Sequence, residues 1–470
     1  MLLILLLNVI FSKAISASVE DGAFVHLFEW KWTDISEECE KFLGPNEFHA
    51  VQVSPAMEHI KGDPWWTRYQ PVSYKLESRS GSQDEFEEMI QRCKKVGVSI
   101  IIDGVINHMA APSTNGDSYG INGTNYHDRQ YEPYDYDASK THTTTNDQTN
   151  CKVDDYSDAN NVQQCDLEGL VDLNTERDDV QDIIANYIKT YHDLGVAGYR
   201  VDAAKHIKSD SMGAIINKAP SMYCFQEVIA GTGEPITPEQ YTGFGDVTEF
   251  NFGINIYNVF KVGAQNMVRN LDTFGEKWGL IESDLAVTFT DNHDTQRSSS
   301  NVLTYKDGYN YDMANYFMLA YPYGHPKVMS SYYFDNSDQG PPGVNVYTGN
   351  TINCDDGRNW VCEHRRTGIS GMVRFRSVVG DVDDDNYQKD DNNGNRIAFA
   401  RSGKGFIAIN MDPSEYWNTN LYTSLPDGDY CNVIISKYKD CDGNDDAKVK
   451  VENGNIKVNI PNLQALAIHV

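Results

Sequence analysis

The chain has 470 residues, 40% of them apolar, and carries a formal net charge of −29. That length calls for two or three domains, and the charge excludes nucleic acid and anionic membrane surfaces as partners. Beyond the first residues no apolar run is long enough to span a bilayer.

The chain opens on MLLILLLNVIFSKAISAS. Its apolar stretch Leu2–Phe11 is too short for a membrane span, and small residues follow it. This is the pattern of a secretory signal peptide over residues 1–18, cleaved after Ser16 or Ser18, although no Lys or Arg precedes the apolar run. A secreted, extracellular, monomeric protein is expected. Nine cysteines fit an oxidising compartment. Cys151 with Cys165, Cys354 with Cys362 and Cys431 with Cys441 could each close a short loop. Cys39 and Cys93 remain as a longer-range pair, and Cys224 is left as a buried thiol. Asn122-Gly-Thr is a glycosylation sequon.

Short, mostly uncharged runs then alternate with amphipathic helices. Strands are expected at Ala23–Trp30, Ala50–Ser54, Val98–Asp103, Gly198–Asp202, Met222–Glu227, Asp246–Phe250, Leu285–Asp291 and Lys327–Ser331. Ser82 and Glu85 form a capping box ahead of the stripe Phe86, Met89, Ile90, Cys93, and Gly97 stops that helix. A second stripe, Val180, Ile183, Ile184, Tyr187, Ile188, Tyr191, ends at Gly195. Eight strands with intervening helices make an α/β protein, a (β/α)8 TIM barrel, at 19–108 and 174–380. The polar segment 109–173 interrupts it after the third strand and reads as an ordered inserted subdomain. After Gly380 comes the acidic stretch DVDDDNYQKDDNNGN. The alternating runs RIAFAR, GFIAINM and LQALAIHV follow, giving a C-terminal antiparallel β-sandwich over 381–470.

In such a barrel the polar residues at strand C-termini face the active site. Here they are Asp103, Asn107 and His108 after the third strand, Arg200 and Asp202 at the fourth, Glu227 at the fifth, and His293 and Asp294 after the seventh. Arg200 and Asp202 are two apart and point to one face. Converging carboxyl groups suit glycoside hydrolysis, which needs one acid and one nucleophile or base. Arg200 is expected to keep Asp202 ionised, and the apolar run before Glu227 to raise its pKa and keep it protonated.

The runs DGVINH, GYRVDAAKH, FQEVI and FTDNHD, with LVDLN at Leu170–Asn174, resemble in order and spacing the signature regions of the α-amylase family. HLFEWKW, WWTRYQPVSY, VMSSY and WVCEHR narrow the resemblance to the animal type, from about residue 20 to the C-terminus. The resemblance implies an endo-acting, retaining hydrolase of internal α-1,4 bonds in starch, glycogen and malto-oligosaccharides. Asp202 would be the nucleophile, Glu227 the acid and then the base, and Asp294 a transition-state partner. Trp65, Trp66, Tyr69, Gln70, Asp103, His108, Arg200, Lys205, His206, Glu234 and His293 would bind substrate. A calcium ion would be held by the side chains of Asn107 and Asp172 and the carbonyls of Gln163 and His206, tying the insertion to the barrel. Many animal members also hold chloride. Arg200 and Asn292 match two of its partners, while the third position, two residues after the serine pair, reads as Tyr333. A phenol brings no positive charge, so little or no chloride activation is expected. The glycine-rich loop of many animal members is missing after Arg297. Two other classes compete: an α-glucosidase or transglycosylase with the same triad, and a non-catalytic carbohydrate-binding or transporter-associated relative. The latter would lack part of the triad or carry a membrane span.

Overall fold

A computed structural model of the chain describes residues 22–470 except 114–115, 117, 133–135, 143–150, 262–266 and 438–439. The expected signal peptide lies outside the described residues. Eight parallel strands close into a barrel: β1 Phe24–Leu27, β2 Ala50–Val53, β3 Ser99–Gly104, β4 Gly198–Val201, β5 Tyr223–Gln226, β6 Asp246–Thr248, β7 Ala286–Thr288 and β8 His325–Ser330. Each pairs with its sequence neighbour, and β8 returns to β1. All eight expected strands form; six are shorter than expected, β3 is shifted one residue on to end at Gly104, and β8 starts two residues earlier, at His325. The helix Gln83–Lys95 starts on the Ser82–Glu85 capping box. The helix Asp178–Leu194 ends on Gly195, which takes the left-handed φ of 97° that spares any side chain there.

Side chains alternate along each strand, so every second residue fills the barrel. Phe24, Ala50, Ile101, Ala197, Tyr223, Phe225 and Val287 form an apolar plug at its lower end. One layer up, the inward positions turn polar: His26, Gln52, Asp103, Arg200 and Lys327 are all buried.

The insertion leaves the barrel through the pairing of His108–Met109 with Val171–Asp172. It adds a small three-stranded sheet (Ser118–Tyr119, Asn125–His127, Gln130–Tyr131) and the helix Ala159–Gln164. Its main anchor is Glu58, a residue the sequence did not single out. One carboxylate oxygen accepts the amides of Asn122 (2.9 Å) and Thr124 (3.1 Å), and the other the hydroxyls of Ser73 (2.7 Å) and Thr124 (2.5 Å). Only glycine fits at 120, where a Cβ would lie 2.5 Å from Glu58 Oε1.

Beyond the helix Thr367–Val379, eight antiparallel strands make two sheets. They are β9 Asp384–Asp390, β10 Asn393–Arg401, β11 Gly405–Asn410, β12 Trp417–Tyr422, β13 Gly428–Cys431, β14 Lys448–Glu452, β15 Asn455–Ile460 and β16 Gln464–His469. The sheet orders are β9-β10-β11-β16 and β12-β15-β14-β13, with a separate apolar core that includes Phe406, Trp417, Leu421 and Ile468. The acidic stretch is itself partly strand, because its charge is met. Asp390 accepts from Arg396 at 2.7 Å, and Lys389 pairs with Asp272 at 2.6 Å. The four expected disulfides form, and Cys224 is a buried free thiol.

Glu58 should be a stability determinant with a pH signature. Burial pushes its carboxyl up, but the four donors outweigh it and hold it below its ordinary value of 4.5. A carboxylate so depressed stabilises the fold above that value and loses the effect as pH falls through the folded value. Glu58→Gln should cost roughly 2 kcal/mol near neutrality, with the loss shrinking below about pH 4. Denaturant melts at both pH values check this; an equal loss at each would contradict it.

Candidate active site

The strand register builds the site. Asp103 on β3 lies directly beside Arg200 on β4, and Arg200 beside Phe225 on β5. The ladder runs one residue past the strands: the Asp202 amide donates to Gly104 O and the Glu227 amide to Val201 O, both at 3.0 Å. Asp202 and Glu227 therefore stand on neighbouring strand tips. Ala203 then adopts a left-handed φ of 49°, and its amide donates to Glu227 Oε2 at 3.0 Å.

One guanidinium gathers the carboxylates. Arg200 Nη1 donates to Asp103 Oδ1 (2.5 Å) and Asp202 Oδ1 (3.0 Å), and Nη2 lies 2.6 Å from Glu227 Oε1. Asp103 Oδ2 also accepts from the Tyr69 hydroxyl at 2.9 Å and from Gln52 Nε2 at 3.4 Å. Burial pushes Asp202 well above the ordinary carboxylate range. Arg200 pulls it down, while Glu227, Asp103 and Asp294 add to the rise. The expected ionising hold of Arg200 on Asp202 is therefore outweighed, because one cation serves three acids in a desolvated space. Asp294 is pushed up to about 7, mainly by burial and then by Glu227. Glu227 is buried, and its two oxygens meet the Arg200 guanidinium and the Ala203 amide.

Aromatic rings line one side. Tyr69 stacks on His293 at 5.2 Å between centroids, and Trp65 meets both edge-on. Trp65 Nε1 donates to Ser337 O at 2.7 Å, which fixes the indole, while Trp66 is exposed. Gln70 turns its amide oxygen to the Ala111 amide, toward the insertion. His108 Nε2 donates to Tyr69 O at 2.9 Å, and His293 Nε2 lies 3.3 Å from Asp294 Oδ2. Burial lowers both histidines, His108 to about 4 and His293 well below its ordinary value, so both rings are neutral near pH 7. On the opposite side Lys205 pairs with Glu234 and sits 4.6 Å over the ring of Tyr156. The insertion thus reaches the cleft through Tyr156, which the sequence reading missed. Where the glycine-rich loop was missing, Arg297 packs against Phe28, Trp65, Tyr332 and Phe334, with centroid distances of 4.3 to 5.4 Å.

The four residues expected at a cation converge between insertion and barrel. The Leu173 amide donates to Asn107 O at 3.0 Å, tying Asn107 to the Asp172 strand. His206 Nδ1 donates to Val162 O at 2.8 Å, and Gln163 Nε2 to Lys205 O at 3.4 Å. Asp172 is 1% exposed. Its Oδ2 meets His142 Nδ1 at 2.5 Å, whereas Oδ1 has no hydrogen-bond partner. Burial pushes this carboxyl up to about 7. Among the described residues no cluster of three or more His, Cys, Asp or Glu could hold a metal, so a cation here would rest largely on amide and carbonyl oxygens.

The expectation at Tyr333 is corrected. Its hydroxyl donates to Asp355 Oδ1 at 3.1 Å and its ring packs on Tyr305. It lies past the end of β8, where the chain has left the barrel axis, and makes no described contact with Arg200 or Asn292. The second cation of the barrel interior is Lys327, in β8 and 2% exposed. Among the described residues its one hydrogen-bond partner is Gln52 Oε1 at 3.4 Å, and it lies near Phe289 and Phe225. Burial, and then Arg200, push its ammonium down to about 7. The sequence placed Lys327 only as a strand residue; its inward parity in β8 was the available signal. Asn292 turns its amide oxygen to the amides of Asp294 (3.1 Å) and Thr295 (2.8 Å), fixing the turn that carries Asp294.

Removing the shared cation should destabilise the protein in a pH-dependent way. Asp103, Asp202 and Asp294 already sit above their ordinary values. Without Arg200 they rise further, and acids so raised lose stability as pH rises from their unfolded values through the folded ones. Arg200→Gln should cost on the order of 3 kcal/mol at pH 8 and clearly less at pH 5. Thermal melts of both proteins at the two pH values decide; a pH-independent loss would exclude this charge balance.

Comparison with known proteins agrees with this geometry. Residues 47–229 match the family described as alpha amylase, catalytic domain, and residues 387–470 the alpha amylase C-terminal all-beta domain. An α-amylase of Tenebrio molitor is 40% identical over 96% of this chain and 97% of its own length. Pancreatic alpha-amylase 2a5 of Mus musculus is 41% identical over 88% and 86%. The crystal structure of a mutant of α-amylase I from Eisenia fetida, in complex with maltohexaose, superposes with a TM-score of 0.88 at 36% identity, covering 96% of this chain and 97% of that one. With a closed eight-stranded barrel, a C-terminal all-β domain and full-length relatives of this kind, the chain belongs to the α-amylase family of glycoside hydrolases.

Proposed function

We propose that this enzyme is a secreted, monomeric, endo-acting α-amylase that cuts internal α-1,4 bonds of starch, glycogen and malto-oligosaccharides with retention of configuration. The observation that carries the mechanism is the Arg200 fork, which holds Asp202 and Glu227 at once. Two carboxyls bound to the two ends of one guanidinium favour the short separation of retaining enzymes, about 5–5.5 Å, over the wider gap of inverting ones. An Asp202 oxygen attacks the anomeric carbon while the glycosidic C–O bond breaks and Glu227 gives its proton to the leaving oxygen. Water then attacks the glycosyl–Asp202 ester, Glu227 takes the water's proton, and Asp202 leaves. Asp103, Asp202 and Glu227 meet the one guanidinium of Arg200; the first step requires Asp202 ionised and Glu227 protonated. Asp294 stabilises the oxocarbenium-like charge. His108 and His293, both neutral, hydrogen-bond sugar hydroxyls. Trp65, Trp66, Tyr69 and Gln70 form the wall on one side of the scissile bond, and Lys205, His206 and Glu234 the other. Asp103 acts beneath them by fixing Arg200.

Residues 19–108 and 174–380 are taken as the catalytic domain, 109–173 as the insertion and 381–470 as the C-terminal domain. Calcium is assigned to the Asn107 and Asp172 side chains and the Gln163 and His206 carbonyls. The unpartnered, buried Asp172 Oδ1 supports the fit. When bound, the ion supplies positive charge and a cross-link between insertion and barrel. A chloride ion is assigned to Arg200, Asn292 and Lys327. The support is a buried ammonium that no carboxylate contacts among the described residues.

Four outcomes test this reading. NMR of the first product from maltopentaose should show the α-anomer, and Asp202→Asn or Glu227→Gln should each cost on the order of 10³-fold or more in kcat; β-anomer first, or a variant retaining a tenth of the activity, would exclude the assignment. Exhaustive chelation should lower the melting temperature, and added Ca²⁺ should restore it; identical melts with and without the ion would remove the calcium site. Activity and melting temperature should both rise saturably with NaCl in chloride-free buffer, and Lys327→Met should flatten both responses. A flat response of the unsubstituted protein would return the chloride question to its sequence-based answer.

A further inference from the structure

The outer face of the second C-terminal sheet carries an array that the catalytic cleft does not explain. β12 is the edge strand of that sheet. Alternation buries Trp417 and Leu421 and turns Asn418, Asn420 and Tyr422 outward; Tyr416, one residue before the strand, shares their parity. Tyr416 and Tyr422 are 55% and 50% exposed. Six residues of extended chain set them about 20 Å apart. On the neighbouring strand Asn459 lies opposite Asn418, Lys457 opposite Asn420 and Asn455 opposite Tyr422. The face is therefore a flat field of amides bracketed by two tyrosine rings. A groove of about 1330 Å³ adjoins it, with Tyr416, Asn420, Lys457 and Asn459 among its walls.

The chemistry of this face selects a ligand class. Edge strands are ordinarily protected by charge or proline, yet β12 presents rings and neutral amides. The groove's charged residues are Lys448, Lys450 and Lys457 against Asp446 and Glu452, a balance of +1 in a chain of −29. Neither a polyanion nor a polycation is favoured there. The side-chain amides of Asn418, Asn420 and Asn459 have no hydrogen-bond partner among the described residues, and each offers both donors and an acceptor. Exposed rings supply apolar faces while their hydroxyls stay wet. A neutral, extended polymer with hydroxyl edges and apolar ring faces meets all of these features.

We propose that the Tyr416–Tyr422 face is a second binding site for α-1,4-glucan chains, separate from the catalytic cleft, which holds polymeric substrate to the enzyme. The inference rests on the activity proposed above. The full chain carrying Glu227→Gln should adsorb to granular starch, and adding Tyr416→Ala with Tyr422→Ala should weaken adsorption roughly tenfold. In the active protein the same tyrosine pair should leave maltopentaose hydrolysis unchanged and slow release of sugar from granules. Equilibrium dialysis of maltoheptaose against the Glu227→Gln protein should show two classes of site, a measurement that does not depend on the tyrosine variants folding. Equal adsorption with and without the tyrosines, or one class of site, would overturn the proposal. Failure of the unsubstituted protein to hydrolyse maltopentaose would instead overturn the proposed activity, and this inference with it.

Discussion

The barrel mouth depends on the charge of Arg200. Its guanidinium is buried and touches Asp103, Asp202 and Glu227. Each of those carboxylates would be costly alone in so desolvated a place. Bound to one rigid fork, they are fixed in position and kept crowded, while burial raises Asp103 and Asp202 above the ordinary carboxylate range against the pull of Arg200. The same constraint reaches back into the fold. Asp103 can meet Arg200 only because β3 and β4 pair with those residues side by side, and a slip of one residue would turn either side chain out of the barrel.

The insertion completes this arrangement. The buried carboxylate Glu58 ties it to the loops above the barrel, and Asp172, held by His142, ties its returning strand to the segment after β3. Tyr156 brings an aromatic ring to the Lys205–Glu234 pair. Both anchoring carboxylates are buried and accept from donors distant in sequence. The order of the cleft is thereby coupled to the folding of a segment that contributes no barrel strand.

The inward side chain of Lys327 follows from its parity within β8, whereas the outward position of Tyr333 follows from where the chain goes after that strand ends. A motif aligned along the sequence carries no information about that path. The strand within the acidic stretch after Gly380 is tied to its surroundings by ion pairs, Asp390 with Arg396 and Lys389 with Asp272.

The sequence by itself determined the eight strands, the two helix caps, the four disulfide pairs and the candidate acids Asp202, Glu227 and Asp294. The strands, caps and disulfide pairs follow from local rules of alternation, capping and spacing, and the choice of acids from the resemblance to the α-amylase family. Only the tertiary structure decided which groups share a field. It put Asp103, Arg200, Glu227 and Lys327 into one desolvated layer, left Asp172 Oδ1 without a partner, and moved Tyr333 away from the barrel axis. Burial and long-range Coulomb interactions depend on three-dimensional distance, and residues 97 and 127 positions from Arg200, Asp103 and Lys327, become its neighbours only when the barrel closes.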